Sequence, residues 1–133
     1  MDAAQALTDL AEISSQIEAA VVLDADGSIL ASTLDGSRGE ALGRLTQELL
    51  AAVGRAAGGN EPALAQVEVS TAEGSVFLVR DGDRAIAATT APEPTVGLVF
   101  YDLKSCLRAF GDEEKPRPRP RRTVKKEESD APA

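Results

Sequence analysis

Chemistry in a small domain rests mainly on histidine, lysine, cysteine or paired carboxylates, and this sequence is poor in all of them. Histidine is absent, which removes His-based acid–base pairs, Ser-His and Cys-His nucleophiles and histidine metal ligands. The lysines are Lys104, Lys115, Lys125 and Lys126. None follows a glycine as Gly-Lys-Ser/Thr, so there is no phosphate-cradling loop, and the chain is not itself a GTPase or ATPase of that class. Asp24-Ala25-Asp26-Gly27 begins like a calcium loop, but the downstream glutamate is missing. It also lies between two apolar runs, where a hairpin turn belongs. Cys106 falls on an apolar helical stripe with no base beside it, so it reads as a small buried hydrophobe rather than a nucleophile. No carboxylate pair stands apart from ordinary strand-end and helix-face acids. The sequence therefore predicts no catalytic residue, no metal site and no cofactor, and leaves surfaces as the carriers of function.

The surfaces depend on the elements that position them. Residues 3–15 have a helical spacing of apolar residues, with Ala3, Ala6, Leu7, Leu10 and Ile13 three and four apart. Ala19–Leu23 and Ile29–Thr33 bracket the Asp-Gly turn as a hairpin, since glycine supplies the positive φ such turns need. Asp35-Gly36-Ser37 offers an N-cap for the next helix.

Arg38 to Ala57 is the clearest helix. Leu42, Leu45, Leu49, Val53 and Ala56 form one apolar stripe. Beside it runs a stripe of Gly39, Gly43, Thr46, Leu50, Gly54 and Ala57, and the remaining face carries Glu40, Arg44, Gln47, Glu48, Ala51 and Arg55. Gly58-Gly59-Asn60 closes the helix. Three strands follow, at Ala65–Ser70, Ser75–Arg80 and Arg84–Thr90, joined by the tight turns Ala72-Glu73-Gly74 and Asp81-Gly82-Asp83. A last helix runs to Phe110, with Val99, Leu103, Cys106, Leu107 and Phe110 on one side. The order is αββαβββα, an α+β sandwich of five antiparallel strands with helices on both faces.

Mid-helix glycines cost up to about 1 kcal/mol each relative to alanine, so Gly43 and Gly54 need compensation. Either the small stripe packs on the domain's own sheet, or it packs on the same helix of a second copy. The strand at 65–70 is joined by a hairpin on one side only, and an open edge invites pairing. On the second alternative the dimer interface comprises Gly43, Thr46, Leu50 and Gly54 of the helix with Val67 and Val69 of the strand.

Composition sets the context. The 133 residues are 43% hydrophobic with one Tyr, three Phe and no Trp, so the core must come from Leu, Val, Ile and Ala. One cysteine fits a reducing compartment, no apolar run approaches the length of a membrane helix, and the N-terminus lacks the basic region of a secretory signal. A cytoplasmic location is expected. Residues 1–110 hold 7 Lys/Arg against 16 Asp/Glu, which argues against a phosphate-backbone grip by the body and for no specific nucleic acid. Residues 111–133 are read as a disordered, Pro-rich tail in which Lys115 to Lys126 holds seven bases and no acid. That run suits an acidic protein surface or anionic lipid.

Taken together, Ile17-Glu18-Ala19-Ala20-Val21-Val22-Leu23-Asp24-Ala25-Asp26-Gly27-Ser28-Ile29-Leu30-Ala31-Ser32 resembles the opening of roadblock/dynein light-chain domains. Pro94-Thr95-Val96-Gly97-Leu98-Val99-Phe100-Tyr101-Asp102-Leu103 is similar to the family's entry into its final helix. The resemblance covers nearly all of residues 1–110, which are read as the roadblock-type domain, and points to bacterial, MglB-like members. It implies a profilin-like sheet with one helix on one face and the two terminal helices on the other. It further implies a homodimer formed through the second helix and third strand, and a small Ras-like GTPase as partner, whose nucleotide cycle is altered by ordering the GTPase's own residues, or which is simply scaffolded. On that reading the polar stripe Arg44, Gln47, Glu48 and Arg55 contributes to the GTPase-binding surface. A small-molecule sensor with a PAS- or profilin-like sheet is the competing expectation and requires a cavity lined by rings or polar groups.

Overall fold

The hairpin turns and helical stripes resolve into eight elements in the computed structural model, which describes residues 2–58 and 64–114. They are α1 (Ala3–Ile13), β1 (Ile17–Leu23), β2 (Ile29–Ser32), α2 (Gly36–Ala56), β3 (Leu64–Thr71), β4 (Gly74–Asp81), β5 (Arg84–Thr90) and α3 (Val96–Glu114). This is the αββαβββα order read from the sequence. The strands form one antiparallel sheet in the order β2-β1-β5-β4-β3.

The two edges of that sheet differ. β3 pairs with β4 without a break, from Leu64 opposite Asp81 to Thr71 opposite Gly74. β2 has four residues, and its register against β1 shifts: Val22 faces Ala31, whereas Leu23 faces Ile29. Leu30 is therefore the extra residue of a bulge, a device that blunts an edge.

Helices cover both faces. α1 and α3 supply Leu7, Leu10, Val99, Leu103, Leu107 and Phe110 to a cluster with Val22, Phe77, Val79 and Ile86. On the other face Leu42 of α2 packs among Val21, Leu23, Leu78 and Ala87. Phe77 and Phe100 meet edge to face at 5.1 Å, and the Arg84 guanidinium lies 5.1 Å from the centre of the Phe110 ring. Local signals set the ends. Asp2 caps α1 by accepting from the Gln5 N–H at 2.8 Å. The Asp35 side chain makes no such bond to α2; its carbonyl instead accepts from Arg38 and Gly39. Gly58, just past α2, has φ +68°, as a helix-ending glycine should.

Most of the small stripe on α2 is covered within a single chain. Gly39, Leu42, Gly43, Thr46 and Gly54 are the buried residues of this helix within a single chain, Thr46 completely so. A Cβ on Gly39 would stand 2.8 Å from the Leu34 carbonyl oxygen, and one on Gly43 would stand 3.0 Å from Ile29 Cδ1. At Gly39 and Gly43, β2 and the segment after it come too close to α2 for larger side chains, and Gly43, Thr46 and Gly54, expected at a dimer interface, are buried within the single chain. The Thr46 hydroxyl satisfies itself within the helix, donating to the Leu42 carbonyl at 2.7 Å.

The end of the last helix also moves. α3 continues to Glu114 rather than ending at Phe110, since Gly111 alone does not stop a helix whose stripe is already anchored. The tail residues 115–133, and Gly59-Asn60, lie outside the described residues.

Replacing a helical glycine by alanine ordinarily stabilises by up to about 1 kcal/mol. Gly39→Ala should instead lose about 1–2 kcal/mol, because its methyl meets backbone that cannot swing aside. Gly97→Ala, where nothing lies within 4 Å, should be neutral or stabilising. Urea unfolding midpoints of the two variants check this, and a gain at Gly39 would show that the approach is looser than described.

Candidate functional site

The residues that the sequence offers for chemistry have structural employment. Asp24 Oδ1 accepts from the N–H groups of Asp26 (2.9 Å) and Ser28 (3.0 Å), and the Gly27 N–H donates to the Asp24 carbonyl, with Gly27 at φ +85°. This carboxylate holds a turn. Among the described residues no group of three or more Cys, Asp or Glu is placed to hold a metal ion. Cys106 is buried, and its thiol pKa is pushed up to about 12 by burial first and by the Asp9 carboxylate second. The thiol is therefore neutral and unreactive at physiological pH. The rings of Phe77 and Phe110 are fully buried in the core.

What the fold presents is a surface built from α2 and the outer part of the sheet. α2 packs mainly on β1, β2 and β5. It is set towards one side, and the sheet face beyond it is only partly covered. Leu49, Leu50 and Val67 are half-buried against the α2-side cluster. Val53 and Val76 are half-buried as well, and Val69 is 40% exposed. Leu45, one turn before Leu49 on the same stripe, is 39% exposed. The partly covered side chains Leu45, Leu49 and Val53 of α2 and Val67 and Val69 of β3 thus make an apolar trough on the α2 side of the sheet, beside β3, whose outer edge pairs with no strand among the described residues. Of the sequence-predicted dimer residues, Leu50, Val67 and Val69 line or adjoin this trough. The stripe Leu45, Leu49, Val53 was legible as apolar, but nothing in its period told which of two neighbouring stripes faces the sheet.

Arg44, Glu48 and Arg55 are exposed along one line of α2, each one or two turns from the next. Gln47 is on the same face, but its amide donates to the Gly27 carbonyl at 2.6 Å. It ties α2 to the β1–β2 turn across twenty residues, a role the sequence did not signal. A Cβ on Gly27 would lie 2.7 Å from the Gln47 amide nitrogen, so turn and helix are fitted to each other.

With this arrangement established, comparison with known proteins is decisive on one point. The family model described as Roadblock/LC7 domain matches residues 3–91, two-thirds of the chain. The chain belongs to the Roadblock/LC7 family. Solved roadblock structures agree with the fold. A Roadblock/LC7 domain from Streptomyces avermitilis superposes with a TM-score of 0.73 at 19% identity, covering 85% of this chain and 98% of that one. A second one from the same organism gives 0.64 at 20% identity, covering 79% and 94%. Myxococcus xanthus MglB gives 0.63 at 17% identity, covering 84% and 91%. No curated protein matches the sequence significantly. The expected roadblock fold, with α2 alone on one face and α1 with α3 on the other, is what the structure has.

The buried, neutral state of Cys106 is directly measurable. In this roadblock domain, thiol labelling of the native chain at pH 8 should run at least about tenfold slower than in urea, where the pKa returns towards its ordinary value. Equal rates would show that the α3 stripe is open to solvent.

Proposed function

We propose that this roadblock domain is a non-catalytic, cytoplasmic homodimer that binds a small Ras-like GTPase and regulates or scaffolds its nucleotide cycle. The observation that carries the dimer is the coincidence of two incomplete features on one side of the molecule. Among the described residues, the regular, eight-residue edge of β3 has no partner strand and the trough beside α2 has no cover. A second copy related by a two-fold axis supplies both at once, strand to strand and helix to trough. The seam then comprises Leu45, Leu49, Leu50, Val53, Val67 and Val69, with Gly43, Thr46 and Gly54 supporting it from behind by letting α2 lie low on the sheet.

The GTPase is supported by family membership and by the similarity to MglB-like proteins that the hairpin and final-helix segments carry. Its docking surface is proposed at Arg44, Glu48 and Arg55, which two-fold symmetry would present twice beside the seam. Gln47 contributes by holding the β1–β2 turn against the helix. Any effect on turnover is proposed to come from ordering the GTPase's own groups.

Light scattering on the eluting protein tests the first half. The wild-type chain should have twice its monomer mass, and Val69→Glu with Leu49→Glu should give a folded monomer, because two buried carboxylates at a seam cost several kcal/mol. A wild-type monomer at micromolar concentration would overturn the seam. The second half is tested by affinity purification from the native host. A P-loop GTPase should co-purify with the wild-type chain, and reversing charge with Arg44→Glu and Arg55→Glu should lower its recovery at least about tenfold while the dimer persists. Unchanged recovery removes those residues from the surface.

A further inference from the structure

The face opposite α2 carries a second feature that the dimer and the GTPase surface leave unused. α1 and α3 diverge enough to leave a groove of about 350 Å³, lined by Ala6, Asp9, Leu10 and Ile13 of α1 and by Tyr101, Asp102, Ser105, Cys106 and Ala109 of α3. Its floor is apolar and its lining holds two carboxylates and no base. Ile13 is 74% exposed and Tyr101 62% exposed at its rim, with Leu98 of α3 half-exposed nearby. These are among the most exposed large apolar side chains of the described residues, and they gather on one groove.

We propose that this groove is the docking site of the chain's own basic segment, residues 115–126. Three matches support it. The segment has seven bases and no acid, against a lining with two acids and no base. It reads Lys-Pro-Arg-Pro-Arg-Pro-Arg-Arg from Lys115; proline rings pack on exposed aromatic faces, and interleaved arginines pair with carboxylates, the chemistry by which Pro-rich segments are recognised. Tyr101 is the aromatic face, and Asp9 and Asp102 are the carboxylates. Reach is also sufficient. The segment begins one residue after α3 ends at Glu114. From Glu114 back to Tyr101 is about 20 Å along the helix, and twelve residues in extended polyproline conformation span about 37 Å. Docking covers the exposed Ile13 and Tyr101 and cancels part of the negative charge on this face. It also makes the segment unavailable to an anionic surface until displaced. The inference does not depend on the GTPase reading.

Tyr101 is the sole tyrosine in a chain without tryptophan, so tyrosine fluorescence reports on the groove alone. Acrylamide quenching of the full chain at low salt should be about twofold weaker than that of the full chain with all seven bases of 115–126 changed to Ser, and the difference should vanish near 0.5 M salt, where screening shortens to a few ångströms. Asp9→Asn with Asp102→Asn should abolish the protection. Glu40→Gln with Glu48→Gln on α2 removes the same charge from the other face and should leave it intact. Equal quenching of wild-type and base-free chains overturns the proposal, and so does equal loss in both acid pairs, which would assign the effect to diffuse charge. Protection that disappears on dilution places the segment on another molecule and overturns docking within the chain.

Discussion

Strand β5 lies in the middle of the sheet, is covered on both faces, and is built largely of alanine: Ala85, Ala87 and Ala88 are buried around Ile86. Its neighbour β1 adds Ala19 and Ala20. Small side chains at the centre of a sheet allow helices to lie close on both sides, and they commit those helices to doing so, because a gap over alanine would be an unfilled void. α2 meets the demand with Gly39 and Gly43, which let it settle onto β2 and the segment after it. On the other face α1 and α3 fill the space with longer side chains, Leu103, Leu107 and Phe110 among them. The position of α2 follows from this close fit, and so do the exposed trough beside it and the polar line of Arg44, Glu48 and Arg55 that it presents.

The same constraint limits how much stability one chain can draw from its interior. Burial contributes about 25 cal/mol per Å² of apolar area, and an alanine buries little of it. Phe77 and Phe110 are the largest fully buried side chains, and a good share of the remaining apolar surface sits at half-exposed positions along α2 and β3. A domain with this distribution gains stability from any apolar cover on its half-covered sheet face.

Much of this was legible in the sequence. Alternation and tight turns located five strands to within a residue or two, and helical spacing located three helices. The Asp-Gly turn was read correctly because Asp24 supplies side-chain oxygen and Gly27 positive φ at neighbouring positions, a local device. What was not legible concerns long-range contacts and one element's end. Two adjacent stripes on α2 are both compatible with burial, and only the approach of Ser32, Leu34 and Ile29 selects the small one. The bond from Gln47 to the Gly27 carbonyl joins residues twenty apart and leaves no trace in local pattern. α3 runs past Phe110 because packing along its stripe outweighs one glycine, a balance that periodicity does not weigh.

The unequal edges of the sheet have a consequence for the size of any assembly. A sheet with two regular edges can add strands at both and grow into a fibre. Here β2 is short and carries the Leu30 bulge, while β3 is long and in unbroken register. Among the described residues, the sheet therefore has one regular edge for strand addition. Two chains that join through β3 expose only bulged ends, and the joined sheet has no place left to elongate. An assembly joined through β3 would in this way remain finite, with termination written into a single extra residue at the far side of the sheet.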